Sequence, residues 1–324
     1  MKRTKKLLTL IFALTCIFTF LSCSQKKEEE FPSKNVTVII PNAPGGGTDR
    51  SVRGILEVAK KYTKANFIAE NRPGAATAIG TSAIANAKAD GYTIGAITVE
   101  SVILPHVGQM PVDYTAFKPL AFTIGEPSVL TIKTDDKRFS NLKEFIEYAK
   151  ANPGKLKVGT SGVNSIWYIG ALLLKESLGI DFTIIPYESG SSDTVAALVG
   201  GHIDATTVGP GNVKNQVDAN VLKSLAILTE ERSPLFPDLP TIVEEANIEP
   251  FTIRAWALMV CPAKVSDEVY NYWNDVFTKA SQDEEFKNFL NMQGLIMPIG
   301  MENAEEVLKS DNELYKRVIE SIQQ

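Results

Sequence analysis

Short apolar runs alternate with segments of helical periodicity through most of the chain. The apolar and β-branched runs predict strands at residues 36–40, 66–69, 93–97, 129–133, 157–159, 182–185, 203–207 and 222–228. Apolar residues three and four positions apart predict helices, among them residues 49–64, 142–151, 165–178 and 194–199. Such alternation is typical of parallel sheets joined by crossover helices, so we predict an α/β fold. The length of 324 residues suggests two domains.

The last third of the chain has a mostly helical pattern. Ser266 is a good N-cap, and apolar residues from Val269 to Ala280 fall on one helical face. Residues 304–322 predict a closing helix. The apolar stripes of both helices indicate packing against the core.

The N-terminal residues have the pattern of an export signal. Basic residues at positions 2, 3, 5 and 6 precede an apolar stretch, residues 7–21, that is short for a membrane span. The stretch ends at Leu21-Ser22-Cys23, which is typical of a lipoprotein processing site. We therefore predict a signal peptide at residues 1–22 and a tether at residues 23–33, lipidated on Cys23. An ordinary secretory signal with an incidental cysteine is the alternative.

The cysteine content argues against a disulfide-bonded fold, and the net charge argues against a nucleic-acid-binding protein. Loss of the signal peptide removes Cys16, and lipidation uses Cys23, so Cys261 alone is left and no internal disulfide is expected. The net charge of −5 becomes −9 when the four basic residues of the signal are removed. An acidic protein binds nucleic acid poorly, because neutralising phosphates requires clustered lysine and arginine.

Residues 36–49 predict a strand, a glycine loop and the start of a helix. Gly45, Gly46 and Gly47 leave the backbone open to close approach, and Thr48-Asp49 begins the helical segment. Free amides at a helix N-terminus favour an anion, here a carboxylate. A nucleotide phosphate is disfavoured because the loop lacks the P-loop ending and the dinucleotide glycine spacing. A tight turn without any ligand is the alternative on the loop alone.

Catalytic and metal-binding motifs are absent from the sequence. His106 and His202 are the only histidines, and neither zinc-ligand spacing nor a Cys-x-x-Cys pair occurs. The run Gly159–Val163 fails the nucleophile-elbow pattern at its last position. We therefore expect no enzyme activity, no cofactor and no metal, and a secreted hydrolase is only a remote alternative.

Seven motifs follow one another from about Phe31 to the C-terminus. They are residues 41–49 (PNAPGGGTD), 70–74 (ENRPG), 89–93 (ADGYT), 151–156 (ANPGKL), 185–187 (IPY), 200–204 (GGHID), and 232–234 with 237–241 (RSP and PDLPT). In this order they strongly resemble the substrate-binding proteins of the tripartite tricarboxylate transporters, the Bug family.

The resemblance implies a two-lobed periplasmic-binding-protein fold of type II-like topology. Each lobe would be a mainly parallel sheet flanked by helices, and the chain would cross between lobes twice. Residues 34–128 with 231–324 would form lobe I, and residues 129–230 lobe II. Such a protein would bind a small carboxylate-bearing solute in the cleft and deliver it to a membrane permease. We expect a monomer that is lipid-anchored to the membrane and faces the periplasm or cell exterior.

The resemblance also implies which residues contact the ligand. The glycine loop, the end of the third strand and two turns of lobe II would line the cleft. By position these are Ala43, Gly45, Gly46, Gly47 and Asp49, then Thr98 and Ser101, then Thr160, Ser161, Asn164 and Ser165, and then Ser189, Gly190 and Ser191. Asp49 is expected to shape the loop rather than touch an anion. Each hydroxyl could instead cap a helix.

Several positions depart from the family pattern or leave a choice open. Asn164 replaces a glycine, Tyr168 replaces the usual histidine, and Val208-Gly209 stands near the place of a frequent Asp-Asn pair. Trp167 is more typical of a core residue than of a ligand contact. Arg254 could fork onto a second ligand carboxylate, or form an ion pair at the rim of the cleft.

Binding is expected to close the lobes, because contacts from both lobes exist together only in the closed state. The hinge is predicted near residues 125–134 and 228–254. A lipoprotein that senses its ligand without feeding a permease is the alternative function.

Overall fold

The structure, a computed structural model, describes residues 30–187, 190–230, 232–233, 236–297, 301 and 303–322. The predicted signal peptide, the predicted lipidation site Cys23 and Ser189 lie outside these residues. Residues Lys34–Gln324 form one compact unit, and the following description concerns that unit.

The described part contains ten strands and ten α-helices. The strands are β1 (Val36–Ile40), β2 (Phe67–Asn71), β3 (Thr93–Thr98), β4 (Phe117–Pro127), β5 (Val129–Lys133), β6 (Lys157–Ser161), β7 (Thr183–Tyr187), β8 (Ala205–Thr206), β9 (Leu222–Ile227) and β10 (Arg254–Pro262). The helices are α1 (Gly47–Ala59), α2 (Ala78–Ala85), α3 (Leu142–Ala151), α4 (Ile166–Leu178), α5 (Ser191–Val199), α6 (Pro210–Asp218), α7 (Ile242–Ala246), α8 (Asp267–Gln282), α9 (Glu284–Met292) and α10 (Ala304–Ile322). Each of the eight predicted strands is present, with ends moved by at most two residues.

The strands form two sheets of five. The first has the order β2-β1-β3-β10-β4 and the second the order β7-β6-β8-β5-β9. In the first sheet β10 alone runs antiparallel to its neighbours, and in the second sheet β5 alone does so. Each sheet is thus mainly parallel, which confirms the predicted fold class.

Burial explains why the parallel strands read as continuous apolar runs. Val36, Val38, Ile39 and Ile40 of β1 are at most 1% exposed, since helices cover both faces of such a sheet. At the C-terminus, Trp273 of α8 is fully buried, and its Nε1 donates to the Gly91 carbonyl at 2.9 Å. The predicted helices at the C-terminus are present, and Ser266 caps α8 by accepting from the Val269 amide.

Two strands, β4 and β10, are not among the eight predicted, and β4 was missed because Pro119 and Gly125 interrupt its pattern. It pairs with β10 through two register shifts, one between Ala257 and Leu258 and one between Met259 and Val260. These bulges absorb the extra residues of β4, and Pro119, which has no amide hydrogen, lies next to one of them.

The chain passes between the sheets at Ser128 and again through residues 228–253. The Ser128 amide donates to the Ile253 carbonyl at 2.8 Å, the Ile253 amide to the Leu228 carbonyl at 2.9 Å, and the Leu228 amide to the Ser128 carbonyl at 2.9 Å. Three backbone hydrogen bonds therefore join the two crossings into one ring. The ring lies within the predicted hinge segments, while the hinge motion and the lobe boundaries stay predictions.

Candidate functional site

The glycine loop ends in a helix start whose amides are free. Gly46 is the N-cap of α1, with extended backbone and no side-chain cap, and the first helical bond runs from the Arg50 amide to the Gly46 carbonyl. The amides of Gly47 and Thr48 have no acceptor within the described residues. Residues 43–46 are exposed. The loop therefore offers donors to solvent at the positive end of a helix dipole.

The buried Asp49 side chain stabilises the conformation of this loop. Its carboxylate accepts hydrogen bonds from the Gly45 amide, from Asn71 Nδ2 and from Arg53 Nε, each at 2.8 Å, and the residue is 4% exposed. Burial alone would raise the pKa of Asp49, but these hydrogen bonds and the Arg53 charge hold it below its ordinary value. Both oxygens serve the loop, as expected for a residue that shapes it.

Gly45, Gly46 and Gly47 differ in whether the local structure requires a glycine at that position. Gly45 has a φ of +84°, a conformation that side chains rarely adopt. A Cβ on Gly47 would meet only ordinary contacts, the nearest at 3.5 Å from Leu295 Cδ2, and one on Gly46 would lie 3.6 Å from the Ala43 carbonyl oxygen. Packing within the protein thus does not demand glycine at positions 46 and 47, whereas close approach of a ligand would.

We therefore expect Gly47→Ala to separate folding from binding. The free energy of unfolding should stay the same or rise by up to about 1 kcal/mol, because alanine favours the helix and restricts the unfolded chain. Affinity for a carboxylate ligand should fall, because the new methyl group crowds the free amides. Urea unfolding and calorimetric titration of the same samples check both expectations. An unchanged affinity would contradict a ligand at this backbone.

Thr98 and Ser101 lie near the loop but are buried. Thr98 is 4% exposed, and its Oγ1 donates to Thr77 Oγ1 at 3.4 Å. Ser101 is fully buried, and its hydroxyl has no partner within the described residues. Thr77 was not predicted as a site residue. It ends three successive left-handed residues, Ala75, Ala76 and Thr77, and no sequence signal marks such a turn.

The first turn of lobe II uses most of its hydroxyls internally. Ser165 caps α4 by accepting from the Tyr168 amide at 3.2 Å, and it accepts from Ser161 Oγ at 2.8 Å. Thr160 is fully buried and donates to the Ser161 carbonyl. Asn164 has a φ of +63°, which explains how it can replace a glycine, since asparagine tolerates this conformation. The capping alternative thus holds for Ser165.

The second predicted ligand turn of lobe II, which precedes α5, is hydrogen-bonded to the first, which precedes α4. Gly190, with a φ of +110°, is the N-cap of α5, which begins at Ser191. Thr194 Oγ1 donates to the Thr160 carbonyl at 2.9 Å and lies 3.2 Å from the Gly190 carbonyl. Two of the predicted ligand turns therefore meet at the carboxyl ends of β6 and β7. Trp167 is 7% exposed and belongs to the core, as expected.

A third strand-to-helix turn of lobe II was missed. Gly209 is the N-cap of α6, and the Gly211 amide donates to Glu126 Oε1 of β4 at 2.8 Å. Burial raises the pKa of Glu126 to about 7, although the Gly211 amide and the Arg50 charge oppose this shift. The Gly-Pro-Gly sequence at residues 209–211 was the available signal for a helix start. The contact of Gly211 with Glu126 could not be foreseen, because Glu126 lies on the unpredicted strand β4.

Arg254 forms no ion pair within 4.0 Å among the residues that the structure describes, and the ion pair at the rim of the cleft stays an alternative. The residue is half-buried, and its Nε has no acceptor there. Its charge lies near Asp311 of α10. Burial raises the pKa of Asp311 to about 6, against the opposing effects of a hydrogen bond from Trp256 Nε1, at 2.7 Å, and of Arg254. A contact of Arg254 with a ligand stays a prediction.

The model of a known family, described as "TctC: Tripartite tricarboxylate transporter family receptor", matches residues 52–323. The chain belongs to this family. A protein of Bordetella pertussis from the group named UPF0065 is 30% identical over 291 residues, which cover 89% of this chain and 88% of that relative.

Two solved structures extend the TctC relationship to the fold. A TctC solute binding protein from Polaromonas, without ligand, is 28% identical with a TM-score of 0.79, and the match covers 90% of this chain and 99% of that one. MatC of Rhodopseudomonas palustris, with bound malate, is 25% identical with a TM-score of 0.74, covering 89% and 100%.

Membership in the TctC family confirms the recognition made from the seven motifs. The protein is a solute-binding receptor and not an enzyme, and the family implies that it is exported. The family match begins at residue 52, just after the glycine loop. In the described part of the chain, none of the helices combines the length and apolar character that a membrane crossing needs.

Proposed function

We propose that this receptor captures a small carboxylate-bearing solute between its two sheets and delivers it to a tripartite tricarboxylate-type permease. One observation carries the proposal. The start of α1 presents the free amides of Gly47 and Thr48 at an exposed loop, and Asp49 fixes that loop from the protein side. An anion at these amides would gain hydrogen bonds and a favourable helix dipole.

The charge of the protein supports local recognition. A chain with a net charge of −9 after signal removal does not attract anions by its overall field. Backbone donors at a helix start can bind a carboxylate without a cationic side chain. The bound malate in the structure of MatC supports a carboxylate as the ligand class.

Contacts from both lobes complete the proposed site. Lobe I would contribute the glycine loop and Thr98, and lobe II the turns before α4 and α5. The full set is Ala43, Gly45, Gly46, Gly47, Asp49, Thr98, Ser101, Thr160, Ser161, Asn164, Ser165, Ser189, Gly190, Ser191 and Arg254, in which Asp49 and Ser165 act by shaping their turns.

Ligand binding should close the lobes about the ring of Ser128, Leu228 and Ile253. Closed-state contacts shift the population toward the closed form, which the permease would recognise. The radius of gyration from solution X-ray scattering is therefore expected to fall when ligand is added. A radius that stays constant at saturating ligand would count against closure.

Anchoring through lipid on Cys23 completes the proposal. The protein would then work as a membrane-tethered monomer facing the periplasm or cell exterior. Labelled fatty acid should be incorporated into the protein in cells and should not be incorporated into Cys23→Ala. Equal labelling of the variant would argue against lipid on Cys23.

A thermal-shift screen against small carboxylates, amino acids and aromatic acids tests the function. A ligand at about 100 times its Kd should add roughly 2.7 kcal/mol to the free energy of unfolding. A shift confined to one carboxylate class would support the proposal and name the class. No shift with any of these carboxylate-bearing compounds would contradict it.

A further inference from the structure

A carboxylate of the chain itself lies at a helix start facing lobe I. Glu126, the penultimate residue of β4, reaches from the first sheet to the start of α6 in the second lobe. Its Oε1 accepts a hydrogen bond from the Gly211 amide at 2.8 Å. The geometry is that of a bound anion at a helix N-terminus, with a side chain as the anion.

The two glycines at the start of α6 let the Glu126 carboxylate approach the backbone closely. A Cβ on Gly209 would lie 2.5 Å from Glu126 Cδ, and one on Gly211 would lie 2.6 Å from Glu126 Oε1. Neither glycine has a left-handed φ, so the lack of a side chain serves the close approach of Glu126 rather than the backbone conformation. The two glycines and the carboxylate form one fitted unit.

The same unit adjoins the glycine loop. The Gly294 carbonyl oxygen lies 3.1 Å from the Cβ position of Gly211, and Leu295 Cδ2 lies 3.5 Å from that of Gly47. Arg50 of α1 donates from Nη1 to the Gln293 carbonyl at 3.1 Å. Residues 293–295 therefore separate the start of α6 from the start of α1, so that both helix starts border the same region between the sheets.

We propose that Glu126 determines the charge of the ligand, because it fills the anion position at the start of α6 and repels a second ligand carboxylate there. The inference rests on the proposed function, in which the first carboxylate binds at the glycine loop. According to this inference, the uncharged end of the solute lies near the start of α6.

The surrounding charges favour this assignment. Arg50 of α1 attracts Glu126, while Lys214 of α6 is paired with Asp218 of the same helix at 2.6 Å. On β10 the residue opposite Glu126 is Ala255, and Arg254 is opposite Pro127. Because the pKa of Glu126 is about 7, its negative charge is present at pH 8 and largely absent at pH 6.

The test compares malate with 3-hydroxybutyrate, which has a methyl group in place of one malate carboxylate. Calorimetric titrations at pH 6 and pH 8 use the purified full-length protein, Glu126→Ala and Glu126→Gln. Glu147→Gln, on the exposed face of α3, is the matched control. Thermal unfolding verifies that each variant is folded, and Glu126→Gln keeps the shape of the side chain if Glu126→Ala does not fold.

At pH 8 the affinity for malate relative to 3-hydroxybutyrate should rise about tenfold in Glu126→Ala, as expected for removal of a nearby like charge. In the unsubstituted protein and in Glu147→Gln this ratio should fall from pH 6 to pH 8, and in Glu126→Gln it should not. A ratio unchanged by both Glu126 substitutions overturns the inference. If the unsubstituted protein and its variants bind neither compound, the proposed function fails and the inference fails with it, whereas an unchanged ratio in proteins that bind 3-hydroxybutyrate overturns the inference alone.

Discussion

Asp49→Ala is expected to weaken carboxylate binding about 100-fold and to lower the free energy of unfolding by about 3 kcal/mol. The substitution leaves the Gly45 amide, Asn71 Nδ2 and Arg53 Nε without their common acceptor. Hydrogen bonds to a charged group contribute about 1.5–3 kcal/mol, and a buried donor left without a partner is costly. The loop should then sample conformations in which the free amides of Gly47 and Thr48 no longer converge.

Calorimetric titration with the carboxylate that gives the largest thermal shift, together with urea unfolding, measures the two effects of this substitution. Asp49→Asn is the matched control, since its amide oxygen still accepts hydrogen bonds while its charge is lost, and it should lie between the other two proteins. An Asp49→Ala protein that binds this carboxylate normally would show that the loop is not the binding element. A loss of stability without a loss of affinity would give Asp49 a structural role only.

Asp311→Asn is expected to remove a dependence of stability on pH. Burial raises the pKa of Asp311 from 3.8 to about 6, so between these values the unfolded chain has lost a proton that the folded protein still binds. The free energy of unfolding therefore falls as pH rises from about 4 to about 6, by roughly 3 kcal/mol in total. Asparagine cannot ionise, and its Oδ1 can still accept from Trp256 Nε1.

Urea unfolding at pH 4 and at pH 7.5 checks this expectation. The difference in stability between the two proteins should change by roughly 3 kcal/mol across the interval, in favour of Asp311→Asn at the higher pH. Other titrating groups such as Glu126 are common to both proteins and cancel in the comparison. Parallel pH profiles would contradict the raised pKa of Asp311.

The elements predicted well are those whose signals are local in the sequence. The apolar run of β1, the glycines and the helical period of α1 are contiguous, and each is decided by neighbouring residues. Ser165 caps its helix, which was the alternative to its predicted ligand contact, and Asp49 shapes its loop as expected. Such roles follow from the side-chain type at a strand-to-helix turn.

The parts that were missed depend on contacts between distant residues. Pro119 and Gly125 hide β4, whose irregularity is absorbed by bulges against β10. Glu126 meets Gly211 across 85 positions of sequence, so no local pattern could indicate that contact. The surroundings of Arg254 likewise come from α10, near the end of the chain, through Asp311.

The central claim is that a carboxylate binds at the backbone amides that begin α1. The most direct test follows the backbone amide resonances of the protein by NMR during titration with the carboxylate that gives the largest thermal shift. The account predicts the largest changes at Gly46, Gly47 and Thr48, displaced downfield as their amides gain an acceptor. Saturable binding that leaves these three resonances in place would contradict it.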